Sequence, residues 1–139
     1  MVDTDGNDLG AHAGIEFFTI GQRRALGIER SEPGYVVAID ADTRTVVIGN
    51  RDEVYSGSLR AELVSYTAGV VPTAPLEVTA KFRYKSVEAP ATLHPDGRFS
   101  EVRFHRDQRA LTPGQAVVFY QGEEVIGGGI IDKVARPAP

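Results

Sequence analysis

The sequence has no cysteine and no tryptophan, a single methionine, and no apolar run long enough to span a bilayer. The first absence removes disulfides, thiolate metal sites and cysteine nucleophiles together. It says little about compartment, because cytosolic proteins also manage without cysteine. No secretory signal pattern opens the chain, so a cytoplasmic protein with no membrane partner is expected. Basic excess is missing too. Lys and Arg number 15 against 19 Asp and Glu, a formal net charge of −4, whereas non-specific nucleic-acid binding depends on neutralising phosphates with Lys and Arg. The average hides an asymmetry. Residues 1–72 carry 6 basic and 11 acidic side chains, a balance of −5, and residues 73–139 carry 9 and 8, a balance of +1. Within Lys81–Arg109 there are 7 basic and 4 acidic residues, or +3.

What is present reads as a β-rich soluble protein. Hydrophobic residues make up 42% and charged residues 24% of 139 positions, which excludes wholesale disorder and allows one domain or two small ones. Glycines and prolines punctuate short runs dense in Val, Ile, Phe and Tyr. Tyr35-Val-Val-Ala-Ile39 and Thr45-Val-Val-Ile48 flank a polar turn at residues 40–44. Leu76–Tyr84 alternates with the period of a half-buried strand. Ala91-Thr-Leu93 and Phe99–Phe104 flank His94-Pro-Asp-Gly97, whose Asp-Gly step suits a tight turn. Ala116–Tyr120 and Val125–Ile131 form a third hairpin pattern. A short helix is expected in Ile15–Leu26, weakened by Gly21, and a single turn at Asp52–Tyr55. Ala68–Pro75 reads as a linker that divides the chain into 1–73 and 74–139, and strands at this spacing suggest a small barrel or sandwich and not a βαβ sheet. No internal repeat is visible.

Residue types that carry chemistry are scarce. His12 and Glu16, four apart, would share a helical face, but two ligands do not make a zinc site. Asp3, Asp5 and Asp8 lack the later ligands and closing Glu of an EF-hand, so a solvated acidic stretch is the better account and no metal is expected. There is no G-x-S-x-G, no G-x-x-x-x-G-K-[ST], and no G-x-G-x-x-G opening a helix. Gly127-Gly-Gly129 lies inside a strand-like run, where a bulge or close backbone approach is the expected role. Two segments stand out: Thr19-Ile-Gly-Gln-Arg-Arg24, with donors able to meet phosphate, and Phe82-Arg-Tyr-Lys85, which interleaves aromatic and basic groups as RNA-binding surfaces do. Thr112-Pro-Gly-Gln115 is a turn with Pro at its second position.

Taken in order, these segments resemble tRNA-specific 2-thiouridylases (the MnmA/TrmU family). The string runs from Leu9-Gly-Ala-His12-Ala-Gly14 through Thr19-Ile-Gly-Gln-Arg23 and Leu26-Gly-Ile28. It continues through Tyr35-Val-Val37, Arg83-Tyr84, Ala110-Leu-Thr-Pro-Gly-Gln115, Val118-Phe-Tyr120 and Gly127-Gly-Gly-Ile-Ile131. The resemblance covers nearly the whole chain. It departs from the family pattern at Ala25 and Gly34, where the family commonly has Gly and Trp.

The resemblance implies a central β-rich domain with a short helix, followed by a C-terminal barrel similar to the second domain of elongation factor Tu. An N-terminal PP-loop domain that takes ATP with magnesium, and two catalytic cysteines, belong to the family. Neither is expected in this chain, so Met1 reads as an added start on a truncated chain or the start of a natural split protein, inactive by itself. In the family, ATP activates the 2-oxygen of the wobble uridine and a cysteine persulfide, fed by a sulfur-donor protein, delivers sulfur. By motif, Arg83, Tyr84 and Gln115 match tRNA contacts, and Gln22 and Arg23 match a segment facing either the catalytic domain or the tRNA. The chemistry suits those positions: Arg forks onto phosphate, Tyr stacks or donates its hydroxyl, and Gln offers donor and acceptor. A stand-alone β-barrel protein-interaction module, suggested by the acidic first half, is the alternative. A metal-dependent hydrolase using His12 and Glu16 is the weakest reading.

Overall fold

A computed structural model describes residues 1–23, 34–82 and 88–135, in two compact units, Met1–Tyr55 and Ser56–Ala135. The first unit holds a three-stranded sheet. Its strands are β1 (Val2–Asp3), β2 (Tyr35–Asp40) and β3 (Thr45–Gly49), in the order β1-β3-β2. β2 and β3 form the antiparallel hairpin expected from their apolar runs, while β1 lies parallel to β3. The polar turn is held by the Asp40 carboxylate, which accepts the Asp42 N–H at 3.0 Å, and by Arg44 at φ 53°. β3 is flanked on both edges, and Val46, Val47 and Ile48 are all buried in succession, so its apolar run is continuous and not alternating.

Helix is minimal in this unit. Among the described residues there is no α-helix; of the helix expected in Ile15–Leu26, residues 24–26 lie outside the described residues and the rest holds a single 3₁₀ turn at Ile15–Phe17. The reason is local: Gly21 takes φ 92°, and Phe17 is 67% exposed, so no apolar stripe is buried to support further turns. A second 3₁₀ turn, Arg51–Val54, corresponds to the turn expected at 52–55. It opens with the Asn50 N–H donating to Glu53 Oε1 at 2.8 Å.

The second unit is a closed barrel of six strands. β4 (Tyr55–Tyr66), β5 (Leu76–Lys81), β6 (Ala89–Asp96), β7 (Phe99–Arg109), β8 (Ala116–Gln121) and β9 (Glu124–Val134) close in the order β4-β7-β6-β5-β8-β9. Closure leaves no strand edge unpaired. Two hairpins turn on glycines at positive φ: Gly97 at 63° between Asp96 and Phe99, and Gly122 at 60° between Gln121 and Glu124. The interior mixes large and small side chains. Phe119, Leu93, Leu59 and Ile131 are buried beside Ala61, Ala80, Ala89 and Ala91, and Phe82 meets Phe104 edge-on with centroids 5.6 Å apart.

Two features of the barrel differ from the sequence expectation or give it a physical basis. The barrel begins with β4, ahead of residue 74, so the compact units part at Tyr55/Ser56 and not near residue 73. Ala68–Pro75 breaks the ladder, as its prolines require, but it connects β4 to β5 within one barrel. The glycine run Gly127–Gly129 sits where backbones touch. A Cβ at Gly127, Gly128 or Gly129 would lie 2.4, 2.7 or 2.6 Å from the carbonyl oxygens of Ser65, Val117 and Glu62. The run therefore allows β9 to pass between β4 and β8 across irregular registers on both sides.

Candidate nucleic-acid interface

Strand direction gathers several candidate residues at one end of the barrel. β5 and β8 run antiparallel with Lys81 opposite Val118, and β5 and β6 pair Ala80 with Ala89. The C-terminal end of β5, the start of β6 and the turn leading into β8 therefore share an end. Arg83 and Tyr84 lie outside the described residues; Phe82 and Glu88, which bracket Arg83–Val87 in the chain, belong to this end. Phe82 is buried, and Lys81 Nζ lies 3.4 Å from Glu88 Oε1 and 4.8 Å from the Tyr120 ring centroid. Glu88 thus neutralises Lys81 at the base of the segment that carries the Arg-Tyr pair.

Gln115 occupies the neighbouring turn. Thr112-Pro-Gly-Gln115 closes with Gln115 N–H donating to the Thr112 carbonyl at 3.2 Å, and Gly114 sits at φ 92°. Pro at the second position and a left-handed Gly at the third are the arrangement of a type II turn. The turn is bolted to β9 in both directions: Gly114 N–H donates to Ile131 O at 2.7 Å and Ile131 N–H donates to Gln115 O at 2.8 Å. Its side-chain amide oxygen is buried without a hydrogen-bond partner among the described residues. β7 ends at the same place, with Leu111 fully buried beneath and Arg106 exposed.

Gln22 and Arg23 belong to the first unit and sit on a turn built the same way. Gln22 N–H donates to the Thr19 carbonyl at 2.9 Å, and Gly21 takes φ 92°. Gly21 N–H donates to Val36 O at 2.7 Å, and Val36 N–H donates to Gln22 O at 2.9 Å. Here the side chain is used internally, because Gln22 Oε1 accepts the Thr19 N–H at 3.0 Å. Arg23 follows, exposed and without an ion pair among the described residues. Thr-x-Gly-Gln is therefore one device used twice, which the two spellings in the sequence signal only once their hydrogen bonds are known.

The other candidates do not converge. His12 Nε2 lies 2.8 Å from the Arg44 carbonyl and its ring meets Phe18 edge-on at 5.4 Å. Asp3 accepts the N–H groups of Asp5 and Asn7, both at 2.9 Å, so the acidic stretch shapes its own loop. Among the described residues no group of three or more His, Cys, Asp and Glu could hold a metal, and no helix is long and apolar enough to cross a membrane. The glycine run does not fit a nucleotide, since neighbouring backbone fills the space a phosphate would need. Of the basic stretch, Arg103 is committed to Glu101 at 2.7 Å, and that hydrogen bond raises its pKa above the usual arginine range. His105 Nε2 lies 2.9 Å from Glu77 Oε2, which also accepts the Thr92 hydroxyl through Oε1 at 2.7 Å. A groove of about 480 Å³ includes Arg60, His94, Phe99 and Lys133, but Arg60 pairs with Asp132 and covers the Phe99 ring.

Comparison with known proteins gives the same division of the chain. The family model described as "tRNA methyl transferase PRC-barrel domain" matches residues 1–50, and the one described as "Aminomethyltransferase beta-barrel domain" matches residues 56–131. The chain is 49% identical over 132 residues to the tRNA-specific 2-thiouridylase MnmA of Halothermothrix orenii, covering 94% of the chain and 37% of that protein. It is 50% identical over 133 residues to the Acetivibrio thermocellus protein of the same name, with the same two coverages, 94% and 37%. The Moorella thermoacetica protein of that name is 42% identical over 137 residues, covering 98% of the chain and 38% of that protein. The chain thus spans little more than a third of the length of these relatives. Through two family models that follow its two compact units, it belongs to the tRNA-specific 2-thiouridylase family.

Proposed function

We propose that this chain is the tRNA-holding part of an enzyme that converts the anticodon wobble uridine to 2-thiouridine. The observation that carries the reading is identity of 42–50% to tRNA-specific 2-thiouridylases across 94–98% of the chain. The barrel end is consistent with it: the Gln115 turn stands beside the ends of β5 and β6, the strands that bracket residues 83–87 in the chain. Arg83 forks onto phosphate, Tyr84 stacks or donates its hydroxyl, and Gln115 supplies its amide. The remaining length of the relatives supplies the chemistry in this reading: a PP-loop domain binding ATP with magnesium, and the cysteines that receive persulfide sulfur from a donor protein. In this reading the chain, which has no cysteine, holds tRNA in the cytoplasm and leaves the sulfur chemistry to that remaining length.

The test is titration of the chain with a tRNA bearing a wobble uridine at several salt concentrations. Log K should fall linearly with log salt, by about 0.7–0.9 for each phosphate neutralised. Arg83→Ala should weaken binding and flatten that slope by about one phosphate, while Gln115→Ala should weaken binding and leave the slope unchanged. Absence of binding at low salt overturns the reading. Binding to a protein partner that ignores both substitutions would instead favour a barrel interaction module.

A further inference from the structure

We infer that Gln22 is a positioning residue whose role is to present Arg23 to a phosphate of the bound RNA. The inference rests on the tRNA reading above and assigns different work to two adjacent residues that the sequence motif treats as one. The Gln22 carbonyl accepts the Val36 N–H, and its side-chain oxygen accepts the Thr19 N–H at 3.0 Å. Both oxygens are therefore committed inward, one to β2 and one to the turn itself. Arg23 is the first residue after this double clamp, is exposed, and has no carboxylate partner among the described residues. Lys81 and Arg103, in the barrel's basic stretch, differ in this respect: Lys81 faces Glu88 and Arg103 faces Glu101.

A guanidinium without a local carboxylate keeps its five donors for a ligand, and a fixed backbone origin lowers the rotamer freedom lost when it forks onto a phosphate. The amide oxygen of Gln22 is spent on the turn, so it reaches the RNA only through what it does to Arg23. The chemistry that fits the exposed side is one phosphate of an RNA backbone.

The experiment is a double-mutant cycle on the chain with the same tRNA, comparing wild type, Gln22→Ala, Arg23→Ala and the double variant, with thermal unfolding of each. Arg23→Ala should weaken binding about tenfold and reduce the salt slope by about 0.7–0.9, with no change in Tm. Gln22→Ala should lower Tm and reproduce part of that loss. The double variant should bind no more weakly than Arg23→Ala alone, because the first effect acts through the second residue. Gln22→Glu, which keeps an oxygen at the Thr19 N–H, should restore Tm. Additive losses in the cycle overturn the inference, as does an unchanged salt slope in Arg23→Ala while wild type still binds. Failure of wild type to bind tRNA is a separate result and removes the tRNA reading itself, together with this inference.

Discussion

Two turns in this molecule share three hydrogen bonds and one glycine conformation and differ in how they are held. Thr19-Ile-Gly-Gln22 and Thr112-Pro-Gly-Gln115 both close through the Gln N–H onto the Thr carbonyl, both place Gly at φ 92°, and both exchange two hydrogen bonds with one strand residue, Val36 or Ile131. The first fixes its second position by burying Ile20, which is 8% exposed, and closes its glutamine onto itself. The second presets its backbone with Pro113, which is exposed, and leaves the Gln115 amide oxygen buried and without a partner among the described residues. One backbone device therefore serves two ends: a turn whose stability is internal, and a turn that carries an unmet hydrogen-bonding need.

That contrast can be broken most forcefully at the second position. Ile20→Ala should destabilise the first unit by about 2–5 kcal/mol, because it empties a packed site. Pro113→Ala should cost the barrel only about 0.4–1 kcal/mol, the value of a preset φ. Chemical denaturation of the two variants measures both, and equal losses would mean that the turns are anchored alike. Next in size are the glycines. Gly21→Ala and Gly114→Ala should each cost about 1–2 kcal/mol from a left-handed backbone. At Gly114 the cost is backbone alone, since an added Cβ would meet nothing within 4 Å.

The smallest effects are the most diagnostic, because they differ in sign. Gln22→Leu should lose about 1 kcal/mol with the Thr19 hydrogen bond. Gln115→Leu should gain about 1 kcal/mol by removing a buried acceptor with no partner, while abolishing that residue's contribution to RNA binding. A loss of stability at Gln115→Leu would indicate that its amide is satisfied within the protein.

Much of the barrel was legible from its residues because turn chemistry marks it. Asp96-Gly97 and Gln121-Gly122 flank alternating runs, and both are hairpins with glycine at positive φ. β4 was not legible. Its register shifts between Glu62 and Ser65, and Leu63 turns outward at φ 52° and 67% exposure, so the period-two signal changes phase midway. That hidden strand is also why the proline-bearing segment after it read as a boundary between domains. At the candidate site, the importance of Gln115 came from motif resemblance and not from spacing. The shared design of its turn with Gln22 depends on partners, Val36 and Ile131, that lie 14 and 16 residues away and have no signature of their own. The Lys81–Glu88 pairing was likewise invisible to a count of basic residues.

The closure of the barrel bears on how the chain acquires its structure. The seam joins its first strand to its last, with Leu59 opposite Val134 and Tyr66 opposite Gly127. A nascent chain that has not yet delivered Glu124–Val134 leaves β4 and β8 with facing rows of unpaired N–H and C=O groups. Contacts this distant in sequence place folding among the slower single domains, in the millisecond-to-second range, roughly. Until β9 arrives, the polypeptide carries two adhesive edges, and the final strand serves as the stave that both completes the ring and ends its exposure to other chains.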